Sequence, residues 1–292
     1  MQKSLKLMLL IGVGLVGASR AAIAAPAAVN LSFCAKTATI RSQFDWNKSA
    51  KLGQIQINLN NSNVQIESVK GLNKAVFVVV GCASSAQLLH DLGWGVKRSG
   101  ENGLAMTLLG VKNLDFSSSF HHKNYAYIDM RMQVPESTAV KIDSDSGNIV
   151  ASNLSKLSVQ SGSGNIMAKN ITGLFSASTD SGHIDAQDLG RVELGHVGSG
   201  PVRISNVLGD VKAKSLGAGL VNIQAVQGKV VIKSLGTGGV KITQVGGNVT
   251  VHKTGTGSLE VNNIGGDFKV KHNGGGKIWY ANIKGAVSVA QS

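Results

Sequence analysis

Val230-Val231-Ile232-Lys233-Ser234-Leu235-Gly236-Thr237-Gly238-Gly239-Val240-Lys241-Ile242-Thr243-Gln244-Val245-Gly246-Gly247-Asn248 holds two alternating apolar segments, each followed by a glycine-bearing corner. Alternation with period two puts successive side chains on opposite faces, which specifies strands and not helices. The unit recurs with a period of 19 residues, opening at Val192, Val211, Val230, Val249, Phe268 and Val287. Upstream it recurs at slightly shorter intervals, from Val140, Leu157 and Phe175.

Reading down the units gives columns of one character. The first strand offers Val192/Leu194, Val211/Ala213, Val230/Ile232, Val249/Val251 and Phe268/Val270 to one face. The second offers Val202/Ile204, Val221/Ile223, Val240/Ile242, Leu259/Val261 and Ile278/Tyr280, with Val207, Val226, Val245, Ile264 and Ile283 three residues on. No unit can bury such a set alone, so the units must stack, at about 4.8 Å per rung. Of 37 glycines, 26 fall at or after Gly147, at corners such as Ser146-Gly147, Gly198-Ser199-Gly200 and Gly236-Thr237-Gly238. Glycine accepts positive φ without steric cost, which is the expected reason for its place there. The expected fold is all-β: a parallel β-solenoid of 17–19 residues per rung over 140–292, right-handed as parallel crossovers are.

The preceding region is less regular. Residues 1–24 read as a secretory leader, with Lys3 and Lys6 before an apolar run and Ala22-Ile23-Ala24 as the cleavage site. Residues 25–139 read as a β-rich cap with one short helix over Ser84–Leu92, and Gln54–Gly71 already fits the strand-corner-strand template. Val76–Val80 and Tyr125–Val134 read as further strands. Cys34 and Cys82 are the only cysteines, and in an oxidising compartment such a pair is expected to form a disulfide. A periplasmic or extracellular location follows from leader and cysteines together.

Val134-Pro135-Glu136-Ser137-Thr138-Ala139-Val140-Lys141-Ile142-Asp143-Ser144-Asp145-Ser146-Gly147-Asn148-Ile149, followed by Leu157-Ser158-Val159-Gln160-Ser161-Gly162-Ser163-Gly164-Asn165-Ile166, resembles the bacterial putative-adhesin family of unknown function, akin to the head-GIN domain. The resemblance spans Gly53–Val289. Its motif is a repeated Ser-Gly-x-Ile corner, so it implies a β-solenoid and an adhesin-like surface and brings no catalytic residues.

Chemistry is sparse. There is no G-x-S-x-G elbow, no phosphate-binding G-x-x-x-x-G-K-[ST] loop and no H-E-x-x-H, and no cofactor or metal site is expected. His121-His122 point to opposite faces of any strand, and His196 and His272 share a column four units apart, too far for one metal. A polysaccharide lyase or hydrolase on the same scaffold is the enzymatic alternative. It would rest on Asp145 and Asp180, in one corner column with Gly162 between them and Asp143 beside them. The stronger surface feature is charge. Removing 1–24 lowers the net charge from +13 to +10, and Lys212, Lys214, Lys233, Lys269 and Lys271 fall at outward positions of the first strand, with Lys253, His252 and His272 alongside. Stacking aligns them into a basic stripe suited to an anionic envelope glycan or surface. Single-stranded nucleic acid would want stacking aromatics, and only Trp279 is placed to supply one, since Tyr280 is expected to point inward. A non-enzymatic binding surface is the expectation.

Overall fold

The computed structural model describes residues 34–44, 53–100, 103–110 and 124–291. The proposed leader and His121-His122 lie outside the described residues. The N-terminal elements are β1 (Lys36–Phe44), β2 (Gln54–Asn61), β3 (Asn63–Val69), β4 (Ala75–Ala83), α1 (Ala86–His90), β5 (Gly93–Arg98), β6 (Gly103–Leu109) and β7 (Ala126–Pro135). The repeat then supplies β8 (Ala139–Ser146), β9 (Ile149–Ser152), β10 (Lys156–Ser161), β11 (Ile166–Thr179), β12 (Ile184–Val197), β13 (Val202–Val207), β14 (Val211–Leu216) and β15 (Leu220–Val226). It continues through β16 (Val230–Leu235), β17 (Gly239–Val245), β18 (Val249–Thr254), β19 (Ser258–Ile264), β20 (Phe268–His272), β21 (Ile278–Ile283) and β22 (Val287–Val289).

The strands pair in parallel into two stacks, the β-solenoid that the repeat predicts. The first-strand stack runs β6, β2, β8, β10, the second half of β11, the second half of β12, then β14, β16, β18, β20 and β22. The second-strand stack runs β7, β3, β9, the first halves of β11 and β12, then β13, β15, β17, β19 and β21. Register matches the repeat residue for residue: Val211 lies on Val230 and Val230 on Val249, while Val221 lies on Val240 and Val240 on Leu259.

The inward columns fill one continuous aliphatic core from Ile55 to Val270. Each fully buried side chain of this kind contributes about 1.5–3 kcal/mol. The first strand has a third inward position beyond the alternating pair, Val197, Leu216, Leu235 and Thr254, buried in every one of these rungs. Between it and the second inward residue two side chains in succession face outward, as Lys214 and Ser215 do.

The rung order at the N-terminal end does not follow the chain. β2 and β3 sit between the β6–β7 rung and the β8–β9 rung, so the chain passes over a complete rung between Pro135 and Ala139. Beyond that rung the pairing turns antiparallel: β4 lies on β7, β1 on β4, and β5 on β6. Antiparallel strands thereby cover the end of the parallel stack, the protection that a terminal repeat needs. Cys34 and Cys82 form a disulfide that ties the start of the described chain to β4. Ser85 caps α1 by accepting from the Leu88 amide at 3.2 Å. At the opposite end Tyr280, expected inward, packs its ring 5.7 Å from Phe268 but stays 52 % exposed, because no described rung covers it.

The corners revise the account of glycine. Among the glycines of the described repeat from Ala139 onward, only Gly147 and Gly275 have positive φ. The column Gly147, Gly164, Gly182, Gly200, Gly219, Gly238, Gly257 and Gly276 is glycine because a Cβ at each position would collide with a backbone carbonyl of the rung before. Positive φ falls instead on the other corner, at Asn153, Asn170, Asp188, Asn206, Ala225, Gln244, Asn263 and Asn282, all between +54° and +60°. Asn and Asp tolerate this left-handed region best among residues with a Cβ.

Candidate functional site

The register resolves the lysines into three columns of one face. Offsets of 19 residues through Ala213↔Ile232, Ile232↔Val251 and Val251↔Val270 place Lys214, Lys233, His252 and Lys271 on four successive rungs. At about 4.8 Å per rung they form a ladder about 14 Å long. Lys212 and Lys269 lie in the neighbouring column, separated by Val231 and Thr250. Lys253 belongs to a third column, between Ser234 and His272. All six lysines are exposed.

None of the six forms an ion pair with a described residue. The lysine ion pairs among the described residues are Lys141–Asp143 at 3.0 Å, Lys229–Asp210 at 3.9 Å and Lys241–Glu260 at 2.7 Å, none of them on the ladder. Glu193 lies beside Lys212 in register, yet the two form no ion pair. Lys214 and Lys233, one rung apart, repel each other.

Asp145 and Asp180 occupy one corner column as the repeat predicts. Ser163 N–H donates to the Asp145 carbonyl at 3.0 Å, and Asp180 N–H donates to that of Gly162 at 3.1 Å. Both side chains are exposed, and Asp143 is held by Lys141. No group of three His, Cys, Asp or Glu suited to a metal ion is found among the described residues. No described helix is long and apolar enough to cross a membrane.

A second surface was not foreseen. The left-handed corner carries side-chain hydrogen bonds from rung to rung: Asn170 Nδ2 donates to Asn153 Oδ1 at 2.9 Å and Asn206 Nδ2 to the Asp188 carboxylate at 3.0 Å, while Asn282 Nδ2 reaches Asn262 Oδ1, one residue before the left-handed Asn263, at 2.9 Å. Beside it runs a trough of about 550 Å³, walled by Asn206, Gln227 and Gln244 together with Leu208, which is 66 % exposed. A signal for this corner was present, since a polar residue precedes the last apolar position of nearly every unit: Asn153-Leu154, Asn170-Ile171, Asp188-Leu189, Asn206-Val207, Gln244-Val245, Asn263-Ile264.

No family model and no curated protein matches the chain. Among solved structures it is similar to a putative adhesin from Bacteroides fragilis, at 12 % identity over 87 % of this chain and 97 % of that one, with a TM-score of 0.41. It is also similar to a putative lipid binding protein from Parabacteroides distasonis, at 15 % identity over 88 % and 98 %, TM-score 0.47. A putative adhesin from Parabacteroides merdae matches at 12 % identity over 88 % and 97 %, TM-score 0.45.

Proposed function

We propose that this β-solenoid is a non-catalytic, adhesin-like binding protein of the cell envelope that holds a linear polyanion, such as an acidic envelope glycan, along its lysine face. The observation that carries the reading is the ladder Lys214, Lys233, His252 and Lys271, a row of outward groups at one-rung spacing whose three lysines form no ion pair with a described residue. A rigid stack keeps such groups at fixed intervals, so a polymer with regularly spaced anions meets several at once with little loss of conformational freedom in the protein. The Cys34–Cys82 disulfide supports an oxidising compartment, the periplasm or outside the cell.

The test is retention of the protein on immobilised teichoic acid and on lipopolysaccharide. The native chain is compared with a variant in which Lys212, Lys214, Lys233, Lys253, Lys269 and Lys271 are all replaced by Ser. Retention by the native chain that the variant loses supports the proposal. Equal retention, or none by either, overturns it.

A further inference from the structure

We infer that the trough beside the left-handed corner is a second ligand site, built for a neutral oligosaccharide running along the solenoid axis. Its walls carry amides from successive rungs: Asn206, Gln227 and Gln244. Among the described residues no lysine or arginine lines it, and the one carboxylate that does, Asp188, accepts a hydrogen bond from Asn206 at 3.0 Å. An anion would meet a carboxylate and no cation there, whereas a chain of hydroxyl groups finds donors and acceptors in amides that offer both. Behind the amides lie the buried Val207 and Val226, and Leu208 stands exposed at the edge, an apolar surface of the kind that the C–H face of a sugar ring covers.

Two further observations separate this trough from an ordinary corner. Backbone preference accounts for Asn and Asp at positive φ, but not for Gln244 or Ala225, which adopt φ of 58° and 54°. Gln244 reaches further than asparagine would, and Ala225 leaves space where its neighbours carry amides. The openings at Gly190 and Gly246 are fixed, since a Cβ at either would strike the carbonyl of Thr172 or Gln227. The cavity is thus preformed, and its volume falls within the roughly 300–1,000 Å³ of small-ligand sites. From Asn170 to Gln244 it spans four rung steps, about 19 Å, enough for several sugar units in a row.

The site is independent of the lysine face, and the experiment keeps the two apart. Cellohexaose, maltohexaose and chitohexaose are titrated calorimetrically into the whole protein in about 1 M salt, where the Debye length is ~3 Å. Three chains are compared: the native one, Lys214→Ser/Lys233→Ser/Lys271→Ser, and Asn206→Gly/Gln227→Ala/Gln244→Gly. Glycine keeps the left-handed backbone while deleting the amide. The expected result is saturable binding of at least one hexaose, unchanged in the lysine variant and weakened about tenfold or more in the amide variant, as loss of several hydrogen bonds dictates. Leu208→Asp, at an exposed position, should weaken it too and serves if the amide variant melts abnormally. Absence of binding by the native chain overturns the inference, as does binding that the lysine variant loses, or that both the amide variant and Leu208→Asp retain.

Discussion

Gly200 sits directly over the carbonyl oxygen of Gly182, so close that no side chain fits between the two rungs. Gly200→Ala should therefore force the stack apart locally and cost about 1–3 kcal/mol, the range for overpacking a close-packed site. Gly95→Ala is the matched control, because a Cβ there meets nothing within 4 Å and the backbone needs no positive φ. Denaturant midpoints of the two variants should differ accordingly.

The left-handed corner makes an opposite prediction at a residue that looks innocuous. Ala225 adopts φ of 54° in a column otherwise mostly Asn and Asp. Left-handed backbone costs an alanine roughly 1–2 kcal/mol, so Ala225→Gly should stabilise the protein and Asn206→Val should destabilise it by a similar amount. Thermal unfolding of both variants checks the signs.

These two corners show what the sequence could and could not convey. The 19-residue period, the inward Val and Ile columns and the register were legible because they repeat. The recurrence of glycine was equally visible, but its cause lies in a carbonyl one rung away, which no local conformational rule contains. Lys214, Lys233 and Lys271 are recognisable as outward, and the same 19-residue offset separates them from Lys212 and Lys253; the absence of ion pairs to described residues along them could be seen only in the structure. The placement of β2 and β3 between β6–β7 and β8–β9 had no local signal, since nothing in Pro135-Glu136-Ser137-Thr138 marks the passage over a rung. Tyr280 fits its inward column, and is exposed only because no described rung follows it.

The disulfide closes a separation of 48 residues, which in the chain-entropy model stabilises by about 4 kcal/mol. Cys34→Ser/Cys82→Ser should lower the unfolding midpoint and raise amide exchange first in β1, the outermost described strand of the antiparallel cap, whose partner is β4. Exchange in β14 to β19 should stay unchanged, because rungs there contact only their neighbours.

Ionisation within the cap predicts a pH response. Burial pushes the Asp129 carboxyl above the usual carboxylate range, against the hydrogen bond from Asn63 at 2.7 Å and the positive charge of Arg131. The folded chain then holds that proton more tightly than the unfolded one. Its contribution to stability is largest below the unfolded pKa and is lost as pH rises through the folded one. Burial likewise pushes the Tyr127 hydroxyl from 10.0 up to about 12, helped by Asp129 and Tyr125, so a second loss begins near pH 10. Asp129→Asn should flatten the acid arm of the stability profile and Tyr127→Phe the alkaline arm.

The proposed function rests on three lysines in one ladder, and the salt dependence of polyanion binding measures them directly. Each charge neutralised on single-stranded nucleic acid adds about −0.7 to the slope of log K against log salt, and that value sets the scale for another flexible phosphate polymer. With teichoic acid as the ligand, Lys214→Ser/Lys233→Ser/Lys271→Ser should weaken binding at low salt and make the slope shallower by about 2. The same affinity and the same slope in native and variant proteins would contradict the account.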